Sequence, residues 1–191
     1  ASARSYDGLS LNDCMETGPN LLANLTEVLI RFRRHKIALV ADIEKAFYQI
    51  SVAEEDRDVH RFFWQFEGKT RIMRFCRLPF GNTASPFLLI ATLQHHISSL
   101  PISHVTKELL ENMYMDNLLT GADTVDDASD LIRESSEIMN KAGMNLRQFA
   151  SNDVAVGSLL AVEFAEKSLL EDKVPTLGMK WLTSTDVFSY K

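Results

Sequence analysis

An α+β fold, an antiparallel sheet with helices on one face, is what the order of elements in this chain predicts. Three observations predict it. Two apolar, strand-like runs at 38–43 and 112–121 each hold a single acid, Asp42 and Asp116. Helical segments with apolar residues at i, i+3 and i+4 spacing lie between and after those runs. The second run is broken by Asp116-Asn117, so it folds back on itself as strand-turn-strand. The order strand, helix, strand-turn-strand, helix, strand is that of a split β-α-β sandwich.

The elements follow in turn. Residues 21–34 place Leu22, Leu25, Leu29 and Phe32 on one helical face, with Thr26 and Glu27 outward. Residues 36–43 form a buried strand. Residues 61–66 and 70–76 alternate as a hairpin across Glu67-Gly68-Lys69. Ser85-Pro86 opens a helix to about Ile97, with Ser as N-cap and Pro first. A second helix covers 103–112. At 116–117, Asp and Asn tolerate the left-handed backbone a tight turn requires. Thr124 or Asp126 caps a further helix that Gly143 ends. A strand near 144–149, a helix over 154–172 and a hairpin from 176–181 and 187–190 complete the chain.

Composition bounds the classes. A chain of 191 residues suits one domain spanning 1–191, and no apolar run approaches a membrane span, so no membrane partner is expected. The chain begins at Ala1 without a Met and reads as a fragment of something longer. Cys14 and Cys76 lack metal-type spacing and are expected to be free thiols. The net charge of −6 is unevenly spread: residues 1–80 hold 12 Lys/Arg against 11 Asp/Glu, residues 81–191 hold 8 against 15. The cations gather in 31–36 and 57–77. A groove tracking phosphates would draw on them, and a solvated face is the equal alternative for 31–36. The acids Asp123, Asp126, Asp127 and Asp130 suit a helix N-terminus. His95 and His96 point about 100° apart on a helix and cannot chelate one ion.

A carboxylate inside an apolar strand is costly unless a cation neutralises it. A divalent metal held between Asp42 and Asp116 would do so, which is what two-metal phosphoryl transfer needs.

The motifs in order are Ser10-Leu11-Asn12-Asp13, Gly18-Pro19-Asn20-Leu21-Leu22, Arg31-Phe32-Arg33, Asp42-Ile43-Glu44-Lys45-Ala46-Phe47, Arg61-Phe62-Phe63-Trp64, Leu78-Pro79-Phe80-Gly81-Asn82, Tyr114-Met115-Asp116-Asn117 and Leu177-Gly178-Met179-Lys180-Trp181. Together, over nearly the whole chain, they resemble the reverse transcriptase of BEL/Pao-type LTR retroelements. The resemblance implies a polymerase palm with partial fingers, ending at a hairpin like the primer grip. It implies RNA- or DNA-templated DNA synthesis from dNTPs by two Mg²⁺ (or Mn²⁺) ions. Asp42, Asp116 and Asn117 match the catalytic positions, and Asp42, Asp116 and the Ile43 carbonyl would ligate metal. Phe47 matches the aromatic gate beneath the sugar, with Tyr48 packing beside it. Phe80 and Gly81 match the loop against the nascent base pair; Tyr114 and Met115 lie near the primer end. Met179, Lys180 and Trp181 would position the primer, and Arg147 would at most touch phosphate.

The implied partners are an RNA/DNA template-primer, dNTPs and the polyprotein's other domains: thumb, RNase H, protease and integrase. The implied location is a cytoplasmic virus-like particle, or the nucleus. Asn117 stands where the family usually carries a second aspartate, which removes one charge from the metal site. Two readings stay open: a working polymerase that would still be inactive as an isolated fragment, or a weakened or silent palm kept as a nucleic-acid- or partner-binding module.

Overall fold

The computed structural model describes residues 1–164 and 172–190. In chain order the helices are α1 (Leu25–Phe32), α2 (Ala46–Gln49), α3 (Ser85–Ser98), α4 (His104–Asn112), α5 (Val125–Lys141) and α6 (Val154–Glu163). The strands are β1 (Ile37–Ile43), β2 (Arg61–Phe66), β3 (Lys69–Arg74), β4 (Met113–Tyr114), β5 (Asn117–Ala122), β6 (Leu146–Ser151), β7 (Lys173–Thr176), β8 (Met179–Leu182) and β9 (Val187–Ser189). They group into two compact units, one from residues 1–21 and 45–93, the other from 22–44 and 94–191.

The second unit is built on an antiparallel sheet in the order β4-β5-β1-β6. β1 is apolar on both faces, and every residue in it is buried except the half-buried Asp42. A strand of that kind must be covered twice. Leu39, Ala41 and Leu118 meet Leu131 and Ile132 of α5. On the alternate positions, Ala38, Val40, Leu119 and Ala150 pack with Val28 and Phe32 of α1 and with Val174 and Trp181 of the sheet β7-β8-β9. The helices expected on one face are therefore joined by α1 and three terminal strands on the other.

Several ends follow local chemistry. Thr124 caps α5 by accepting the Asp127 amide, and Gly143 follows it at φ +70°. α1 starts later than the periodicity predicts. The Asn24 side chain accepts the amides of Thr26 and Glu27, so residues 21–23 stay outside the helix. The buried pair in α1 is Val28 and Phe32. Ser85 lies inside α3, and its hydroxyl donates to the Pro79 carbonyl at 2.9 Å instead of capping. The helix expected over 154–172 is α6 for its first part; residues 165–171 lie outside the described residues.

The first unit holds α2, the N-terminal part of α3 and the two-stranded sheet β2-β3. The β2-β3 turn is Glu67-Gly68, both at positive φ, with Lys69 already paired to Phe66. Asn12 clamps the loop after Pro79: its amide donates to the Gly81 carbonyl at 2.9 Å and accepts the Thr83 amide at 3.0 Å.

Candidate active site

Asp42 sits near the end of β1 because β1 runs antiparallel to β5, with Asp42 opposite Asn117. Tyr114 pairs with Asn117, which leaves Met115-Asp116 as a two-residue turn. The Asp116 carbonyl accepts the Ile43 amide at 2.8 Å, so the turn is stitched to the strand that carries Asp42. The left-handed residue expected at Asp116-Asn117 is instead Met115, at φ +56°. Two-residue hairpin turns require positive φ at their first position, and a methionine there stores roughly 1 kcal/mol or more of strain. Such strain is tolerated only where the surroundings impose it.

A polar chain holds this hairpin. Arg31 Nε donates to Asn112 Oδ1 at 2.9 Å, and Asn112 Nδ2 donates to Glu108 Oε2 at 2.7 Å. The same Glu108 oxygen accepts the Thr120 hydroxyl at 2.6 Å. Asn112 directly precedes β4 and Thr120 lies in β5, so both arms of the hairpin are fixed through buried side chains.

On the other edge of β1 the register slips. Val40 faces Ala150 but Asp42 faces Arg147, so β6 carries one extra residue there. Within that stretch Gln148 adopts φ +57°. The bulge sets Arg147 beside Asp42. Arg147 also pairs with Glu44 at 2.7 Å, and Asn145 donates to the other Glu44 oxygen at 3.1 Å. Glu44 was not singled out from sequence, although its i+2 spacing from Asp42 places it on the same strand face.

These neighbours set the chemistry. Burial, then the Asp116 charge, push the Asp42 carboxyl up to about 6, while Arg147 pulls it down. A carboxylate short of solvent and facing another acid is an oxygen donor in want of a cation. Asp116 accepts one hydrogen bond from the Asn117 amide, at 2.9 Å. Hard oxygen donors of this kind fit Mg²⁺ or Mn²⁺. Among the described residues there is no group of three or more His, Cys, Asp or Glu placed to hold a metal.

A pH-dependent cost follows. The folded state holds the Asp42 proton more tightly than the unfolded chain, so stability falls as pH rises from about 4 through about 6. Asp42→Asn is expected to stabilise the metal-free protein by on the order of 1–2 kcal/mol at pH 7, with no gain below about pH 4. Added Mg²⁺ should narrow the gap by stabilising only the native sequence. Thermal unfolding against pH, with and without Mg²⁺, checks this; an equal gain at pH 3.5 and pH 7 would refute it.

Phe47 and Phe80 meet within the first unit, with ring centroids 4.9 Å apart and edge to face, and Tyr48 meets Phe80 at 5.4 Å. Phe47 is buried, whereas Phe80 is 59% exposed. The aromatic surface on offer is thus Phe80, with Phe47 behind it. Gly81 holds φ +83° in the same loop.

The hairpin expected from 176–181 and 187–190 is instead the three-stranded sheet β7-β8-β9, because the chain already turns at Leu177-Gly178. Its Leu177-Gly178 turn puts Met179 and Lys180 in half-buried positions. Trp181 is fully buried, edge-on to Phe32 at 5.2 Å, with its indole N–H donated to Asp186. A side chain with no exposed surface cannot touch a primer, so Trp181 is a core residue. Two of the four cations in 31–36 are also committed. Arg31 serves the polar chain, while Arg33 pairs with Asp186 and lies over the rings of Phe32 and Phe188.

Comparison with known proteins adds the following. The family model described as "Reverse transcriptase (RNA-dependent DNA polymerase)" matches residues 8–149. A Gag-Pol polyprotein of avian reticuloendotheliosis virus is 33% identical over 87 residues, covering 44% of this chain and 7% of the polyprotein. A foamy viral protease-reverse transcriptase in complex with an RNA/DNA hybrid is similar in fold, with TM-score 0.56 and 19% identity over 89% of this chain and 19% of that one. The same type of protein with dsDNA gives TM-score 0.57 and 18% identity, over 91% and 30%. The prototype foamy virus protease-reverse transcriptase gives 0.60 and 15%, over 99% and 22%. The chain thus spans a small part of each relative's length.

Proposed function

Because this chain belongs to the reverse transcriptase (RNA-dependent DNA polymerase) family, we propose that it is the palm and partial fingers of a retroelement polymerase, of BEL/Pao type by its motifs. It extends a DNA primer on an RNA or DNA template, using dNTPs, within a polyprotein bearing thumb, RNase H, protease and integrase. Work in a cytoplasmic particle fits that lifestyle.

The observation that carries this reading is the pairing of β1 with β5. It brings Asp42 and Asp116 close enough for the charge of one to raise the proton affinity of the other. Asp42, Asp116 and the Ile43 carbonyl would hold two divalent ions. Bound there, the ions supply a more acidic primer hydroxyl and charge neutralisation on the leaving pyrophosphate. The chain's own part is positional. Glu44 keeps the Arg147 guanidinium beside Asp42, where its charge favours ionised carboxylate or incoming phosphate. Phe80, backed by Phe47, offers a flat apolar surface at which a sugar bearing one more hydroxyl would clash. Tyr114 and Met115, half-buried in and beside the turn, would lie at the primer end, and Met179 and Lys180 would steady its backbone.

Asn117 favours a second reading. Its amide occupies an Asp116 oxygen that metal would want, and it brings no charge. The palm would then bind nucleic acid or a partner without chemistry.

Primer extension on poly-rA/oligo-dT, with the chain joined to the flanking segments of a relative, separates the readings. The native sequence is expected to extend. Asn117→Asp should lower the Mg²⁺ needed for half-maximal rate by roughly 10-fold, since it adds a full carboxylate at about 1–2 kcal/mol. Extension by Asn117→Asp alone would favour the silent palm. Extension unaffected by chelator would sink the two-metal reading.

A further inference from the structure

We propose that one face of the β2-β3 hairpin, carrying Trp64, Phe66, Lys69 and Arg71, is a platform for unpaired bases of a single-stranded nucleic acid. The inference rests on the polymerase reading only for the source of that strand, an unpaired stretch of template.

The register decides which side chains share a face. Trp64 stands opposite Arg71 and Phe66 opposite Lys69, and opposed residues in an antiparallel pair point the same way. Trp64 is 54% and Phe66 50% exposed, on a sheet that has only two strands among the described residues. The Arg71 guanidinium lies 5.5 Å from the centre of the Phe66 ring. Aromatic rings alternating with cations match a strand that presents base faces and phosphates by turns.

The opposite face shows the contrast. There Phe63 pairs with Ile72, and Arg61 with Arg74. Both of those arginines are neutralised: Arg61 by Asp58, and Arg74 by Asp58 at 2.8 Å and Glu54 at 3.5 Å. Lys69 and Arg71 have no carboxylate partner among the described residues. Nearby Arg57 and Arg77 are bonded to the carbonyls of Val52 and Gln49. Uncompensated positive charge beside exposed aromatics is therefore confined to one face. A protein partner would fit the neutral apolar face; a polyanion with π-faces fits this one.

The test is fluorescence anisotropy of the full chain with short labelled oligo-dT and oligo-U, and with a blunt duplex as control, over a salt titration. Trp64→Ala should weaken binding of both single strands by about 5- to 100-fold, and Trp64→Phe should largely restore it. Joint replacement of Lys69 and Arg71 by Ala should reduce the slope of log K against log salt by about 1.4. Emission of the exposed Trp64 should be quenched on binding, while that of buried Trp181 is untouched. Oligo-dT and oligo-U binding alike would assign base stacking; oligo-U alone would assign an RNA site. Unchanged affinity and slope in both variants, or equal losses on the blunt duplex, would overturn the proposal. The polymerase reading is judged apart, by Asp42-dependent extension, and survives that outcome.

Discussion

Replacing Asp42 by alanine is expected to cut primer extension at least about 10³-fold, the equivalent of roughly 4 kcal/mol of transition-state stabilisation. The reason lies in how this aspartate is placed. It is half-buried in the central strand, faces Asn117 on one side and Arg147 on the other, and senses the charge of Asp116. Its removal leaves Asp116 as the sole anionic donor of the pair, with an amide already bonded to one oxygen. The fold should survive, because the substitution deletes a costly charge and leaves the β1 ladder intact. The check is extension by Asp42→Ala at saturating Mg²⁺, beside its thermal unfolding curve. A rate within tenfold of native, in a protein of native stability, would exclude Asp42 as a metal ligand.

Trp181→Ala should destabilise the protein by about 3–5 kcal/mol, a large share of the stability expected for a domain of this size. Trp181 is fully buried, and it joins β8 to Phe32 of α1 and to the inner sheet residues Val40 and Leu119. Its loss removes the largest side chain of that layer and leaves a cavity walled by the sheet. It also strips Asp186 of the indole N–H donor, although Arg33 still pairs with that carboxylate. Trp181→Phe should cost less, since it keeps an aromatic ring against Phe32 while giving up one hydrogen bond. Denaturant unfolding of the two variants gives the values. A change below 1 kcal/mol in Trp181→Ala would return Trp181 to the surface and to the primer.

The acidic balance of the chain looks less awkward for a nucleic-acid enzyme once its cations are followed individually. Arg31, Arg33, Arg61 and Arg74 are spent on internal partners. Lys69 and Arg71 on the hairpin have no carboxylate partner among the described residues, and Arg147, partly committed to Glu44, lies close to Asp42. A few uncompensated cations suffice where phosphate is met locally, and net charge says little about them.

The chain's own residue order was enough to reveal what depends on near neighbours. Thr124 and Gly143 bound α5, Glu67-Gly68 makes its turn, and the apolar strands each carry one aspartate in a recognisable motif. Those are effects of capping, turn geometry and strand alternation, which act over a few residues. Tertiary structure decided the rest. Trp181 was readable as a primer contact until β8 packed it on Phe32, 149 positions away by number. The left-handed residue moved to Met115 because the Tyr114–Asn117 pairing sets which positions form the turn. Arg147 reached Asp42 through a one-residue bulge in β6, and Arg31 and Arg33 lost their free charge to partners far along the chain. Pairing register and burial are settled by contacts between distant segments, and no local pattern of residues encodes which distant partner will neutralise or cover a given side chain.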